Sequence, residues 1–84
     1  MNKIFSNTAW EEYIYWQTED KKILKKINEL TKDIERNGNT GTGKPESLKH
    51  ELSGFWSRRI TDEHRLIYSL DEKNINIVSC RGHY

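Results

Sequence analysis

The sequence contains one cysteine, one proline and no long apolar run, and each scarcity excludes a class of protein. The single cysteine, Cys80, rules out an intramolecular disulfide and favours a reducing compartment. No stretch approaches the roughly 18 apolar residues of a membrane span, and the first residues lack the apolar region of a secretory signal. We therefore expect a cytoplasmic protein that does not enter a membrane.

An excess of charge of one sign is also missing. Lys and Arg number 14, Asp and Glu number 13, and the formal net charge is +1 with histidine neutral. A globally basic nucleic-acid-binding protein is therefore excluded. A site for a polyanion would have to come from local clustering of cations.

The chain is short and only 33% apolar, but 11% of its residues are aromatic. Aromatic side chains bury a large area each, so we expect a folded chain rather than a disordered one. A chain of 84 residues forms a single domain, residues 1–84, and buries only about 60–65% of its unfolded surface. A homodimer would help to stabilise such a marginal core.

The first half of the chain predicts a strand and two helices. Residues 3–5 are a short apolar strand, expected at a sheet edge. Thr8 and Glu11 have the capping-box spacing, which predicts a helix that begins there. Its buried face is expected to carry Trp10, Tyr13 and Ile14, with core or dimer packing favoured over base stacking as their role.

The second helix has a clear helical period. Ile23, Ile27, Leu30 and Ile34 recur at 4-3-4 spacing, which predicts an amphipathic helix on a core. Residues 18–20 supply its N-cap and residues 37–38 its end. Residues 37–43 then read as a flexible loop with no apolar anchor, and residues 46–50 as one helical turn.

Three strands follow, at residues 55–60, 63–70 and 74–81, joined by short turns. The expected fold is α+β: an N-terminal strand, two helices and an antiparallel β-meander, with the helices packed on one face of the sheet. Cys80 lies in the last strand and is expected to be a small core residue, with a nucleophile or a metal ligand as the alternative.

Strand alternation predicts which side chains share a face. Ser57 and Arg59 point one way on the first meander strand. A three-residue turn would pair Arg65 with Ser79 and place His83 on the same face, but about 13 Å farther along the strand. The end of the chain or the long Arg65 side chain would have to close that gap.

These groups suit the cleavage of an RNA phosphodiester without a metal or a cofactor. Attack by the 2′-hydroxyl needs a base, a cation for the developing phosphorane charge, and an acid for the leaving oxygen. The candidates are Glu46 as base, Arg65 as the phosphate-gripping cation, His83 as acid, Lys49 and Arg59 as phosphate contacts, and Tyr84 as a group that stacks on a base or bonds the phosphate.

Each candidate also has an ordinary structural interpretation. Glu46 lies in a surface loop where most carboxylates are merely solvated. Arg59 and Arg65 could pair with Asp62 or Glu63 on the strand surface. The last two residues are terminal, where fraying is common. Taken alone, the residues indicate an RNA-binding or RNA-cleaving domain.

The segment GKPESLKHELSGFWSRRITDEHRLIYSL, followed by CRGHY, resembles the YoeB family of the RelE/ParE toxin superfamily from bacterial toxin–antitoxin pairs. The N-terminal stretch AWEEYIYWQTEDKKILKKINEL is similar to it as well. The likeness therefore runs over nearly the whole chain.

This resemblance implies a RelE-like microbial ribonuclease fold and a ribosome-dependent mRNA interferase that cuts mRNA in the A site of the 70S ribosome. It implies a cognate antitoxin of the YefM type and a homodimer. It also assigns roles to six residues: Glu46 as general base, Arg65 as transition-state stabiliser, His83 as general acid, Tyr84 as substrate-positioning residue, and Lys49 and Arg59 as phosphate contacts.

Two questions stay open at this point. A non-catalytic member of the same fold, which binds the ribosome or the antitoxin, is the alternative function. Gly82 stands where a larger side chain is common in the family, and a glycine there is expected to loosen the tail that aims His83.

Overall fold

The computed structural model describes residues 1–83, which form a five-stranded mixed sheet with two helices packed on one face. The sheet order is β1-β5-β4-β3-β2, and β3, β4 and β5 form the expected antiparallel meander. The α+β class is confirmed. The element bounds are β1 (Asn2–Phe5), α1 (Asn7–Glu19), α2 (Lys21–Asn37), β2 (Glu46–Ser47), a 3₁₀ turn (His50–Leu52), β3 (Trp56–Arg59), β4 (Arg65–Leu70) and β5 (Asn74–Ser79).

The first strand lies at a sheet edge, as expected, and runs parallel to β5. Within residues 1–83 no helix is both long enough and apolar enough to cross a membrane.

Helix α1 differs from the prediction at its start and in its buried face. Ser6, and not Thr8, is the N-cap, since its hydroxyl accepts the Ala9 N–H at 3.0 Å. The core-facing residues are Ala9 and Trp16, whereas Trp10 is 50% exposed. The expected buried face of α1 is therefore wrong for Trp10 and Ile14, whereas Tyr13 is partly buried against the core. Aromatic residues lie all around this helix, so its period does not select a face, and Trp10 instead stacks on Tyr13.

Helix α2 follows its sequence pattern. Asp20 caps it by accepting the N–H groups of Lys22 and Ile23, and Gly38 ends it with φ of +63°. The apolar residues at 4-3-4 spacing are all buried. They pack on the inner sheet face, and the core formed there comprises Ala9, Trp16, Ile23, Ile27, Leu30, Ile34, Ile60, Leu66, Tyr68, Ile75, Ile77 and Cys80.

Cys80 is a core residue, as the favoured interpretation held. Its side chain is fully buried, and its Sγ lies 3.6 Å from the carbonyl oxygen of Ala9. Burial raises the pKa of the thiol to about 12, and the nearby Glu12 carboxylate adds to this effect. A thiol in this state is a poor nucleophile.

The loop after α2 was expected to be flexible and to lack an apolar anchor, but the structure holds it by a polar anchor, Arg58. The side chain of Arg58 is completely buried and donates hydrogen bonds to the carbonyl oxygens of Gly38, Thr40 and Thr42. It also forms an ion pair with Asp33. That hydrogen bond, together with one from the Thr42 N–H, lowers the pKa of Asp33. Three hydrogen bonds from one guanidinium thus anchor the loop, and the ion pair connects the same side chain to α2.

Residues 46–50 do not form the expected helical turn. Glu46 and Ser47 pair with β3 as a two-residue strand, and a 3₁₀ turn begins only at His50. The fixed φ of Pro45 is compatible with an extended segment as well as with a helix start, and the edge of β3 offers hydrogen-bond partners to an extended segment.

The register between β4 and β5 also differs from the prediction. Leu70 pairs with Ile75, and Ile67 pairs with Ser79, so Arg65 does not pair with Ser79. The two pairs Ile67–Ser79 and Tyr68–Ile77 leave Val78 as the extra residue of a β-bulge. The Ser6 hydroxyl donates to the carbonyl oxygen of Val78 at 3.0 Å, which satisfies the bulged backbone. The observed register and the bulge together bring the end of the chain closer to Arg65 than predicted.

Candidate functional site

A pocket of about 150 Å³ lies on the sheet face opposite the helices, at the β2–β3–β4 end. Six side chains line it: Lys44, Glu46, Ser57, Arg59, Arg65 and His83. Four of these are residues that the sequence singled out. The pocket therefore joins groups from a loop, three strands and the tail, across 37 positions of the sequence from Glu46 to His83.

Glu46 is exposed and is held in place by the pairing of β2 with β3. Its partner across the strands is Ser57, so the carboxylate and the serine share the pocket face. The N–H of Leu48 donates to the carbonyl oxygen of Phe55 at 2.9 Å, which closes this small hairpin. A sheet position fixes the carboxylate more firmly than a loop would.

Arg59 lies beside Arg65, because the two residues are directly paired across β3 and β4. Its main-chain N–H donates to the carbonyl oxygen of Gly43 at 2.6 Å. Its side chain approaches Asp62 only to 3.9 Å, and Asp62 is almost fully exposed, so this ion pair contributes little. The Nε of Arg59 is buried without a hydrogen-bond partner in the described part of the chain, and such unsatisfied groups often mark functional sites.

The guanidinium of Arg65 is oriented by the loop that precedes β4. Its Nη1 donates to three carbonyl oxygens, those of Thr61 at 2.6 Å, His64 at 3.1 Å and Asp62 at 3.2 Å. Among residues 1–83 every hydrogen bond of this side chain uses Nη1. The other two guanidinium nitrogens carry three further N–H donors, in the geometry that suits a phosphate oxygen pair.

His83 lies in the same pocket as Arg65, so the 13 Å gap inferred from strand alternation does not exist. The turn between β4 and β5 is one residue longer than predicted, and the bulge adds one more residue to β5. Together they bring the tail two residues closer to Arg65 than the predicted register does. The N–H of Arg65 donates to the carbonyl oxygen of Gly82 at 3.0 Å.

Gly82 does not loosen the tail, contrary to the expectation. Its carbonyl is bonded to Arg65 and its N–H to Nδ1 of His64, at 2.8 Å. Its φ of +82° lies in the left-handed region that favours glycine, and an added Cβ would meet nothing within 4 Å. The glycine is thus required by the backbone conformation that directs His83 into the pocket.

One described residue of the predicted set, Lys49, does not line this pocket. Lys49 is exposed in a neighbouring groove that Glu46 also lines, so it flanks the pocket. Tyr84 lies outside the described residues.

Two pocket residues were missed. The sequence analysis placed Ser57 on the same face as Arg59 but gave it no role, and it assigned none to Lys44. Lys44 adopts φ of +52°, which is uncommon for a non-glycine residue and occurs preferentially at functional sites.

The pocket is electropositive although the chain as a whole is nearly neutral. Among the described residues that line it, Lys44, Arg59 and Arg65 are positively charged and Glu46 is the one carboxylate. This is the local clustering of cations that the overall composition required of a polyanion site. Within residues 1–83 there is no cluster of three or more His, Cys, Asp or Glu side chains suited to a metal ion.

Comparison with known proteins gives a consistent result. Residues 5–84 match the model of a family described as YoeB-like toxin of bacterial type II toxin-antitoxin system. Toxin YoeB of Escherichia coli K12 is 57% identical over 84 residues, which is all of both chains.

Solved structures of the Staphylococcus aureus YoeB toxin have the same fold. Its dimer is 55% identical with a TM-score of 0.95, and the alignment covers 100% of this chain and 98% of that one. In its heterotetrameric complex with YefM the values are 55% and 0.94, with the same coverage. From its family match, its full-length identity and its fold, this chain belongs to the YoeB-like toxins of bacterial type II toxin–antitoxin systems.

Proposed function

We propose that this toxin is a metal-independent endoribonuclease that cuts mRNA in the A site of the 70S ribosome and so stops translation. The observation that carries the proposal is the pocket shared by Glu46, Arg59, Arg65 and His83. It combines a carboxylate, fixed cations and an imidazole around a space of about 150 Å³, which suits one phosphodiester group.

The reaction begins when the Glu46 carboxylate takes the proton of the ribose 2′-hydroxyl. The 2′-oxygen then attacks the adjacent phosphorus. Arg65 neutralises the charge that develops on the phosphorane oxygens, with its guanidinium already oriented by three carbonyl oxygens. Protonated His83 gives its proton to the departing 5′-oxygen. The products are a 2′,3′-cyclic phosphate and a free 5′-hydroxyl.

The remaining groups bind the substrate rather than transfer protons. Arg59 and Lys49 contact the flanking phosphates, and the unpartnered Nε of Arg59 supports a role in holding an anion. Tyr84 positions the scissile nucleotide. Dependence on the ribosome would then come from the presentation of the mRNA in a cleavable conformation.

We further propose that the toxin acts in the cytoplasm as one domain, residues 1–84. A YefM-like antitoxin would neutralise it, and the free toxin would form a homodimer. The S. aureus relative is found both as a dimer and in a complex with YefM. Exposed apolar side chains at Ile4, Trp10 and Ile14 support a protein partner, because a monomer would leave them in water.

A primer-extension assay on a message translated in vitro tests the proposed reaction. The intact toxin, taken from a stock treated with EDTA, should cut within translated codons. Each of the substitutions Glu46→Gln, Arg65→Ala and His83→Ala should lower the cleavage rate at least a hundredfold. Arg36→Ala is the matched control, since it removes an exposed arginine in the last turn of α2. A message with a 2′-deoxyribose at the cut site should resist cleavage.

The alternative is a non-catalytic toxin that binds the ribosome. In that case translation would stop without new mRNA ends, and growth arrest would survive removal of residues 83–84. Either result would refute the nuclease.

A further inference from the structure

The tail that carries His83 leaves the sheet after Ser79 and is then held at each residue. The Cys80 N–H donates to Glu12 Oε1 at 2.8 Å, and the Cys80 carbonyl accepts from Trp16 Nε1 at 3.0 Å. The guanidinium of Arg81 lies over the ring of Tyr15, 3.9 Å from its centroid. Helix α1 therefore fixes the first half of the tail.

The second half is fixed by His64 and its neighbour Arg65. The Gly82 carbonyl accepts from the main-chain N–H of Arg65, and the Gly82 N–H donates to Nδ1 of His64 at 2.8 Å. Both backbone polar groups of Gly82 are thus satisfied. His83 follows directly, with its Cα about 3.8 Å from that of Gly82.

His64 is itself held rigidly. Its ring meets the buried Trp16 ring edge to face, with centroids 4.8 Å apart and an interplanar angle of 70°. Its main-chain N–H donates to the Thr61 hydroxyl at 3.1 Å, and its carbonyl oxygen accepts from Nη1 of Arg65. One residue thus contacts both the Arg65 guanidinium and the backbone of the tail.

The hydrogen bond to Gly82 requires a particular form of the imidazole. Since a backbone N–H can only donate, Nδ1 must be the unprotonated acceptor, and the ring must be neutral with its proton on Nε2. Without this acceptor the part-buried Gly82 N–H would lose its partner, and leaving such a donor unsatisfied is unfavourable, so the tail would move to let it reach water.

We propose that His64 is a positioning residue for the cleavage reaction: its neutral imidazole fixes Gly82, and thereby places His83 beside Arg65. The proposal rests on the nuclease activity proposed above. A displacement of about 1 Å at a reacting group can cost on the order of a hundredfold in rate. His64 does not touch the substrate, so its effect appears in the chemical step rather than in binding.

Two substitutions at His64 distinguish the effect of the Nδ1 acceptor from the effect of the aromatic ring. His64→Phe keeps the aromatic contact with Trp16 and removes the acceptor. His64→Asn removes the ring and keeps an oxygen near the position of Nδ1. If His64 only fills space against Trp16, the phenylalanine variant should be the more active of the two. If it positions the tail, the asparagine variant should be.

The kinetic test measures single-turnover cleavage of mRNA in stalled ribosome complexes over a range of toxin concentrations. His64→Phe should lower the maximal rate constant about ten- to a hundredfold, with the half-saturating concentration unchanged within about threefold. His64→Asn should retain most of the rate. An unchanged rate in His64→Phe, or an equal loss in both variants, would overturn the proposal.

A second measurement needs no activity and no variant. ¹⁵N spectra of the histidine side chains in the wild-type toxin should show an unprotonated Nδ1 on His64, and the Gly82 amide should exchange slowly with solvent. A proton on Nδ1, or rapid Gly82 exchange, would refute the positioning role even if His64→Phe did not fold. If the wild type shows these signals but cuts no mRNA, the nuclease function fails while the tail geometry stands.

Discussion

The main-chain N–H of Arg65 donates a hydrogen bond of 3.0 Å to the carbonyl oxygen of Gly82. This bond ties the strand that carries Arg65, for which we propose a phosphate contact, to the residue just before His83. One main-chain contact therefore fixes the backbone of Arg65 relative to the backbone of Gly82, which directly precedes His83. Activity should therefore depend on the conformation of a residue that has no side chain.

Gly82→Ala should lower both stability and cleavage. Because φ is +82°, a Cβ costs about 1 kcal/mol in conformational energy even though the space around it is open. The strained backbone relaxes by moving His83. Urea unfolding should show a loss of about 1 kcal/mol, and the cleavage rate should fall at least tenfold.

Gly54→Ala is the control for this substitution. Gly54 also has a positive φ, +94°, with nothing within 4 Å of an added Cβ, but it lies in the turn before β3. It should lose similar stability and keep its cleavage rate. Equal losses of cleavage in both variants would show that the Gly82 effect is only a loss of stability.

Arg58→Met should strongly destabilise the fold. The substitution leaves the carbonyl oxygens of Gly38, Thr40 and Thr42 without their buried donor. These acceptors are only part-buried, so each costs about 1 kcal/mol, the lower end of the usual 1–3 kcal/mol, and a total loss of about 3 kcal/mol is expected. The exposed Arg36→Met should change stability by less than about 0.5 kcal/mol. Urea unfolding of both variants makes the comparison.

Acid should weaken the fold through Asp71. Its carboxylate accepts from the Lys73 N–H first, and from the side chains of Asn76 and Asn74, which lowers its pKa from 3.8 to about 2. Because the folded-state pKa is the lower one, the ionised group stabilises the fold fully above about pH 4. This contribution is lost as the pH falls through about 2.

The free energy of unfolding, measured by urea at several pH values from 5 to 2, tests this contribution. Asp71→Asn should flatten the curve below pH 4, whereas Glu72→Gln, at the exposed neighbouring position, should leave its slope unchanged. A wild-type slope retained in Asp71→Asn would contradict the assignment.

Cys80 should resist thiol reagents as long as the chain is folded. Its pKa is raised to about 12 by burial, and its side chain is inaccessible. Reaction with a chromogenic disulfide at pH 8 should therefore follow the fraction of unfolded chain and reach completion only in denaturant. Rapid labelling of the native toxin would contradict a core position.

The sequence predicted secondary structure best where apolar residues form a regular pattern on one face of the element. Helix α2 was found because its apolar residues recur at a single helical period. The three meander strands were found because apolar and aromatic segments are bounded by turn residues. Helix α1 was misjudged because its aromatic residues surround it. The anchor of the loop after α2 was missed, since a buried arginine such as Arg58 gives no signal different from an exposed one.

Of the site, the residue types were predictable and their proximity was not. Glu46, Arg59, Arg65 and His83 were selected by chemistry and by resemblance, and all four line the pocket. The role proposed for His64 was not predicted, because it depends on a hydrogen bond to a residue 18 positions away.

The sequence by itself determined the family, the elements and the chemical groups available, because these depend on residue identity and local periodicity. Only the tertiary structure decided that His83 meets Arg65. That outcome depends on a wider turn after Leu70 and on the bulge at Val78. The turn allows Ile75 and Ile77 to face the core, and the bulge then returns Ser79 to the pocket face. Strand register is set by burial against distant partners, which no local pattern contains.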